Sequence, residues 1–201
     1  MTRDDHSPQK PEERVAPNEE ETIRNLKAGD IAAFEQILLS YEKRIYGFLR
    51  RIVASSEDAE DLTQETFIKV FKKRGLIDDR RSFKSWLYKV ATNTAYDFLR
   101  KKQRQVKIAD SGNNKLPETF DAAATYQDTG SIDDNRKLER GLAAIKPIYR
   151  TVLLLFYRED MAYKDIAEAI DAPVNTVKVY IHRARKELKE ALEKDNGTPR
   201  R

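Results

Sequence analysis

The chain has 201 residues, 39% of them hydrophobic and 36% charged, with a formal net charge of +4. That balance is too apolar for wholesale disorder and too polar for one large core, so it fits two small helical domains with charged outer faces. There is no cysteine, and His6 and His182 are the only histidines, which excludes disulfides and thiolate metal sites and leaves little for His-based chemistry.

No apolar run approaches the ~20 residues that span a bilayer; the longest is Val152 to Tyr157. The N-terminus is rich in acids and proline and has no apolar core segment, so it does not read as a signal peptide. A cytoplasmic protein with no direct membrane insertion is expected. Charge is unevenly spread. Residues 1–21 and 105–135 are acidic, whereas 97–107 and 174–194 are basic. Segregated basic stripes suit a phosphate-backbone binder, and they also suit two solvated helix faces.

In chain order, residues 1–18 read as a disordered tail. Helical periodicity starts at Glu19 and breaks at Gly29-Asp30, where Asp30 can cap the next helix. Ile31, Phe34, Ile37, Leu38, Tyr41, Ile45, Phe48, Leu49 and Ile52 then mark a long amphipathic helix. A third helix follows Ser55 or Ser56, with Asp58 as a further capping acid, and Gly75 is expected to end it. Ser82 caps a fourth, which runs out through Arg104. Residues 106–134 lose periodicity and read as a linker. Four more helices fill 135–194: a short one around Leu138 and Leu142, one opened by Pro147, one over Tyr163–Ile170 and one from about Asn175 to Leu192. Residues 195–201 form a tail. The fold class is therefore all-α, two small helical domains (19–105 and 135–194) joined by a flexible acidic linker.

Tyr163 to Arg185 has helix-turn-helix spacing, with Pro173 stopping the first helix. On the second helix Val177, Ile181, Ala184 and Leu188 share one face, and Asn175, Lys178, Val179, His182, Arg183 and Lys186 occupy the rest. A recognition helix in a major groove needs this division between an apolar and a long polar face. The alternative is an ordinary helical hairpin with a solvated basic face.

The fourth helix combines Trp86, Tyr88, Tyr96 and Phe98 with a basic end of Arg100, Lys101, Lys102 and Arg104. Lys89, Asn93, Tyr96 and Arg100 share a face away from Leu87, Ala91 and Phe98. Rings for stacking and cations for the backbone are what single-stranded nucleic acid binding requires, and an Asn can read a base edge. Trp86 is equally compatible with a core position, and Phe98 fits the core better than the strand.

Four stretches together resemble the extracytoplasmic-function group of sigma-70-class RNA polymerase sigma factors. They are Ala32–Phe34 with Tyr41…Ile45-Tyr46, Asp58-Ala-Glu-Asp-Leu-Thr-Gln-Glu-Thr-Phe67, Phe83-Lys-Ser-Trp-Leu-Tyr-Lys-Val-Ala-Thr-Asn93, and Thr176-Val-Lys…His-Arg-Ala-Arg185. The resemblance implies that Asp61, Gln64 and Glu65 are contacts to core RNA polymerase, and that Asn93 reads a flipped base of the minus-ten element. By the same resemblance Lys84, Trp86 and Tyr88 lie where the strands separate, with Arg100, Lys101 and Arg104 on the backbone. Asn175, Thr176, Lys178, Val179, His182, Arg183 and Lys186 fall on the surface facing the minus-thirty-five element. The linker resembles the segment that threads toward the polymerase active site.

Partners implied are core RNA polymerase, promoter DNA as duplex and as melted strand, and an anti-sigma factor; no cofactor, metal or catalytic residue is expected. Three positions depart from the family pattern: Asn175 where Gly is usual, Val179-Tyr180 where a small polar residue and Arg are usual, and Ile145-Lys146-Pro147 at a Leu-Pro step. The competing function is a stand-alone helix-turn-helix regulator, which leaves the aromatic-basic helix and the acidic stretch unexplained. A nuclease finds no carboxylate–His cluster or Gly-rich phosphate loop to work with.

Overall fold

A computed structural model describes residues 19–109 and 132–196. Within them the chain forms eight α-helices and no strand: α1 (Glu19–Ala28), α2 (Ile31–Val53), α3 (Ser56–Lys73), α4 (Phe83–Ala109), α5 (Ile132–Ala144), α6 (Pro147–Leu153), α7 (Tyr163–Ala169) and α8 (Val174–Asn196). Helix α4 continues past the expected limit at 105, because neither Gly nor Pro interrupts Gln105–Ala109, and α5 begins before 135. The tails at 1–18 and 197–201 and most of the expected linker lie outside the described residues.

Local chemistry sets the junctions. Gly29 adopts φ +94°, which a side chain would resist, and this turns the chain between α1 and α2. Asp30 then caps α2, its carboxylate accepting from the Ala32 N–H at 2.7 Å and the Ala33 N–H at 3.4 Å. Ser55 rather than Ser56 caps α3, accepting from the Asp58 N–H at 3.2 Å. The Asp58 carboxylate is not a cap: it pairs with Lys102 of α4 at 3.0 Å. Gly75 does not end α3 in a left-handed turn; the helix tightens into a 3-10 turn over Arg74–Leu76. The left-handed C-cap belongs instead to Ala54, at the end of α2 with φ 62°.

In the N-terminal half α2, α3 and α4 pack on one another, with α1 across α2. Ile45, Phe48, Leu49, Val70, Leu87, Ala91 and Ala95 are buried between them. Fully burying a side chain of Leu or Phe size is worth roughly 1.5–3 kcal/mol, enough for a handful to fix the orientation of each helix. In the C-terminal half α5, α6 and α7 pack on α8, burying Leu142, Val152, Leu155, Ile166, Val177, Ile181 and Ala184. A π-helical turn over Leu154–Arg158 follows α6.

The two halves also touch. Helix α4 lies against α7, and α2 against α5 and α6, so the buried residues form one continuous cluster.

Candidate nucleic-acid interface

The turn between α7 and α8 runs through Asp171 at φ 55°, and the Pro173 carbonyl accepts from the N–H groups of Thr176 and Val177. Proline cannot continue α7, and its carbonyl starts α8. Val177, Ile181 and Ala184 are buried against the rest of the half, with Leu188 packed at their margin. This leaves Asn175, Lys178, Val179, His182, Arg183 and Lys186 exposed on one side, with Thr176 half-buried at the helix start. Val179 is an exposed apolar side chain among donors, which suits a thymine methyl in a major groove. The division between the two faces is therefore the one the periodicity predicts.

Helix α4 begins with the Ser82 hydroxyl accepting from the Ser85 N–H at 3.3 Å. Asn93 is exposed between buried Thr92 and Thr94, and Arg100, Lys101 and Arg104 are exposed on the following turns. Arg100 is held by Asp97 at 2.9 Å. Trp86 is half-buried, its ring 6.0 Å from that of Phe83.

Tyr88 corrects the expectation: its ring is fully buried, edge-to-face on Phe48 at 5.1 Å, so it is a core residue and not a strand contact. Burial, then the neighbouring Glu159 carboxylate, holds its phenol well above the ordinary range. It stands one turn after Lys84 and off the face of Lys89, Asn93 and Arg100, and the α2 side of the helix takes its ring.

Lys84 donates to the main-chain carbonyl of Glu159, in the segment between α6 and α7. Tyr96 donates from its hydroxyl to Thr151 Oγ1 of α6 at 2.9 Å, and burial raises its pKa to about 12. The basic side of α4 thus meets the C-terminal half. Arg44 and Glu159, which pair there at 3.0 Å, carried no signal in the sequence: Arg44 is one of many bases, and Glu159 sits in the polar run Arg158-Glu159-Asp160. Burial works against the charge on Arg44, but Glu159, with Tyr88 and Tyr41, together hold its pKa above the ordinary value.

On α3, Asp61, Gln64 and Glu65 are all exposed, at i, i+3 and i+4, and so share a face. Glu65 pairs with Lys69 at 2.7 Å. Ile68 extends the same face and is 53% exposed, an apolar contribution that sequence reasoning missed because it falls on the polar side of the helix. Among the described residues no cluster of His, Asp and Glu could hold a metal ion, and no helix is long and apolar enough to cross a membrane.

Residues 37–105 match the family model of sigma-70 region 2, and residues 135–188 that of sigma-70 region 4. A helical half of each kind, joined in this order, defines a protein of the sigma-70 class. The ECF RNA polymerase sigma factor SigW of Bacillus subtilis is 30% identical over 176 residues, covering 85% of this chain and 94% of that protein. The RNA polymerase sigma-H factor of Pseudomonas aeruginosa is 28% identical over 188 residues, covering 87% and 94% respectively. Among solved structures, the sigma factor RpoE from Bartonella quintana, in complex with the anti-sigma factor NepR, superposes with a TM-score of 0.69 at 25% identity, covering 81% of this chain and 98% of that one. The chain belongs to the extracytoplasmic-function family of sigma factors, which direct RNA polymerase to specific promoters.

Proposed function

We propose that this sigma factor divides promoter recognition between the two exposed surfaces of α4 and α8, and docks on core polymerase through α3. Asp61, Gln64 and Glu65 present acids and an amide to the polymerase, with Ile68 as the apolar centre of the contact. Helix α8 enters the major groove of the minus-thirty-five element. Arg183 and Lys178 donate to base edges there, while Asn175, Thr176, His182 and Lys186 fix the register. The Asn93 amide takes a base that has left the stack, with Trp86 and Lys84 at the start of the same helix where the strands part and Arg100, Lys101 and Arg104 following the backbone. The chain contributes binding energy and the polymerase contributes the chemistry, in the cytoplasm.

The observation that carries this reading is Asn93, an exposed amide flanked by buried threonines on a helix that turns basic at Arg100, about two turns later. The Bartonella quintana relative was solved with an anti-sigma factor. A partner of that kind, masking the polymerase-binding face, fits this chain as well.

The test is transcription reconstituted from purified sigma-free bacterial core polymerase and this chain on a genomic fragment library. Defined starts that depend on the chain are expected. Asn93→Ala should then lower open-complex formation by roughly 1–3 kcal/mol, about five- to 150-fold, with core binding unchanged. Equal loss of both would overturn the assignment. No initiation together with polymerase-independent duplex binding would favour the stand-alone regulator.

A further inference from the structure

Two cations from different helices of the N-terminal half converge on one residue of the C-terminal half. Arg44 of α2 donates through Nε to Glu159 Oε2 at 3.1 Å, and its Nη2 lies 3.0 Å from the same oxygen in an ion pair. Lys84 of α4 donates to the Glu159 main-chain carbonyl. The Glu159 side chain is 2% exposed and follows the π-helical turn, with Asp160 in a left-handed conformation at φ 49° behind it. Around this centre the pattern repeats. Arg81, two residues before α4, pairs with Glu168 of α7 at 3.1 Å, and Lys89 of α4 pairs with Asp171 at 2.9 Å. In each contact the N-terminal half supplies the cation and the C-terminal half the oxygen.

A carboxylate taken by an Arg and a carbonyl taken by a Lys are the acceptors that a phosphodiester would offer at the same place. Each rim pair keeps one exposed member, Arg81 or Asp171, and such pairs are individually weak, so another anion can replace them. A polyanionic strand brings many such groups at once and gains from releasing its counterions.

We propose that Arg44 and Lys84 form a phosphodiester-binding pair for the melted promoter strand, and that in the free chain Glu159 occupies this pair in the strand's place. The inference rests on the assignment of α4 as the strand-binding helix. It adds Arg44 to that site and gives the C-terminal half a second role. The free factor is closed over its own single-strand site, and α7 must leave α4 before DNA can enter.

The experiment uses the full chain and a short fluorescein-labelled single-stranded oligodeoxynucleotide carrying the mapped non-template minus-ten sequence. Glu159→Gln should bind it about tenfold more tightly than the parent, the gain expected when a site ~10% accessible becomes fully accessible. Arg44→Ala or Lys84→Ala, added to Glu159→Gln, should abolish that gain.

A second measurement needs no change at Glu159. The chain has no cysteine, so dyes can be placed through Leu76→Cys and Ala162→Cys, both exposed positions on opposite sides of the contact. Saturating oligonucleotide should separate them. Binding without separation, or equal affinity of parent and Glu159→Gln, would overturn the closure. The assignment of α4 would survive that result provided Asn93→Ala still impaired open complexes in the holoenzyme. Loss of neither strand affinity nor open-complex formation in the Asn93, Arg44 and Lys84 variants would remove both.

Discussion

Arg150 reaches from α6 into the ends of two other helices. Its Nη1 donates to the carbonyls of Arg51 and Ile52, both at 2.9 Å, at the C-terminus of α2. Its Nη2 donates to those of Ala143 at 2.8 Å and Ile145 at 3.2 Å, where α5 ends. Helix C-termini leave carbonyls unpaired and carry partial negative charge, so a guanidinium there satisfies both needs without a carboxylate. Burial pulls its pKa down to about 10, against the raising effects of Glu139 and Tyr96. The group stays charged at neutral pH. The cost of burying it is fully present there and is relieved only as pH climbs from about 10 toward the unfolded value. Arg150→Ala strands four carbonyls and should destabilise the chain by about 3 kcal/mol in urea unfolding. A change below ~0.5 kcal/mol would mean that water replaces the guanidinium.

At the scale of elements, α2 shows how much a cap and a stripe decide. Asp30 fixes where the helix starts, and Ile37, Tyr41, Ile45, Phe48 and Ile52 fix which side is buried. Asp30→Ala should cost about 1 kcal/mol, whereas Asp30→Ser should restore most of it, both read by thermal unfolding. Equal loss in the two variants would place the effect in charge and not in the cap. The start of α2 was legible because the capping residue and the first apolar position are adjacent in sequence. Its end was not, since Ala54 adopts a left-handed conformation with no local signal. The end of α3 was misplaced for the complementary reason: a glycine permits a left-handed turn without requiring one.

Across the whole molecule the contact between the halves has two parts. One is the buried Arg150 anchor beside α2. The other is the ion-paired rim along α4, where Arg81 and Asp171 are exposed and their partners Glu168 and Lys89 half-buried. Raising salt from roughly 50 to 500 mM shortens the screening length from ~14 to ~4 Å and should loosen the rim first. The dyes at positions 76 and 162 should therefore move apart with salt in the parent, while Glu159→Gln should start apart and respond little. A separation indifferent to salt in the parent would show that apolar packing, not charge, holds α4 against α7.

The sequence by itself determined the helices and their apolar stripes, the Asp30 and Ser82 caps, the helix-turn-helix and the exposed positions of Asn93, Arg183 and Gln64, because each depends on residues within one or two turns of each other. Only the tertiary structure decided that Tyr88 belongs to the core, that Asp58 pairs with Lys102, and that Glu159 is buried between Arg44 and Lys84. These depend on which helix lies opposite. Burial of a charge is set by partners that can be far away in the chain: Arg44 and Glu159 are separated by 115 residues, and no local pattern records such a pairing.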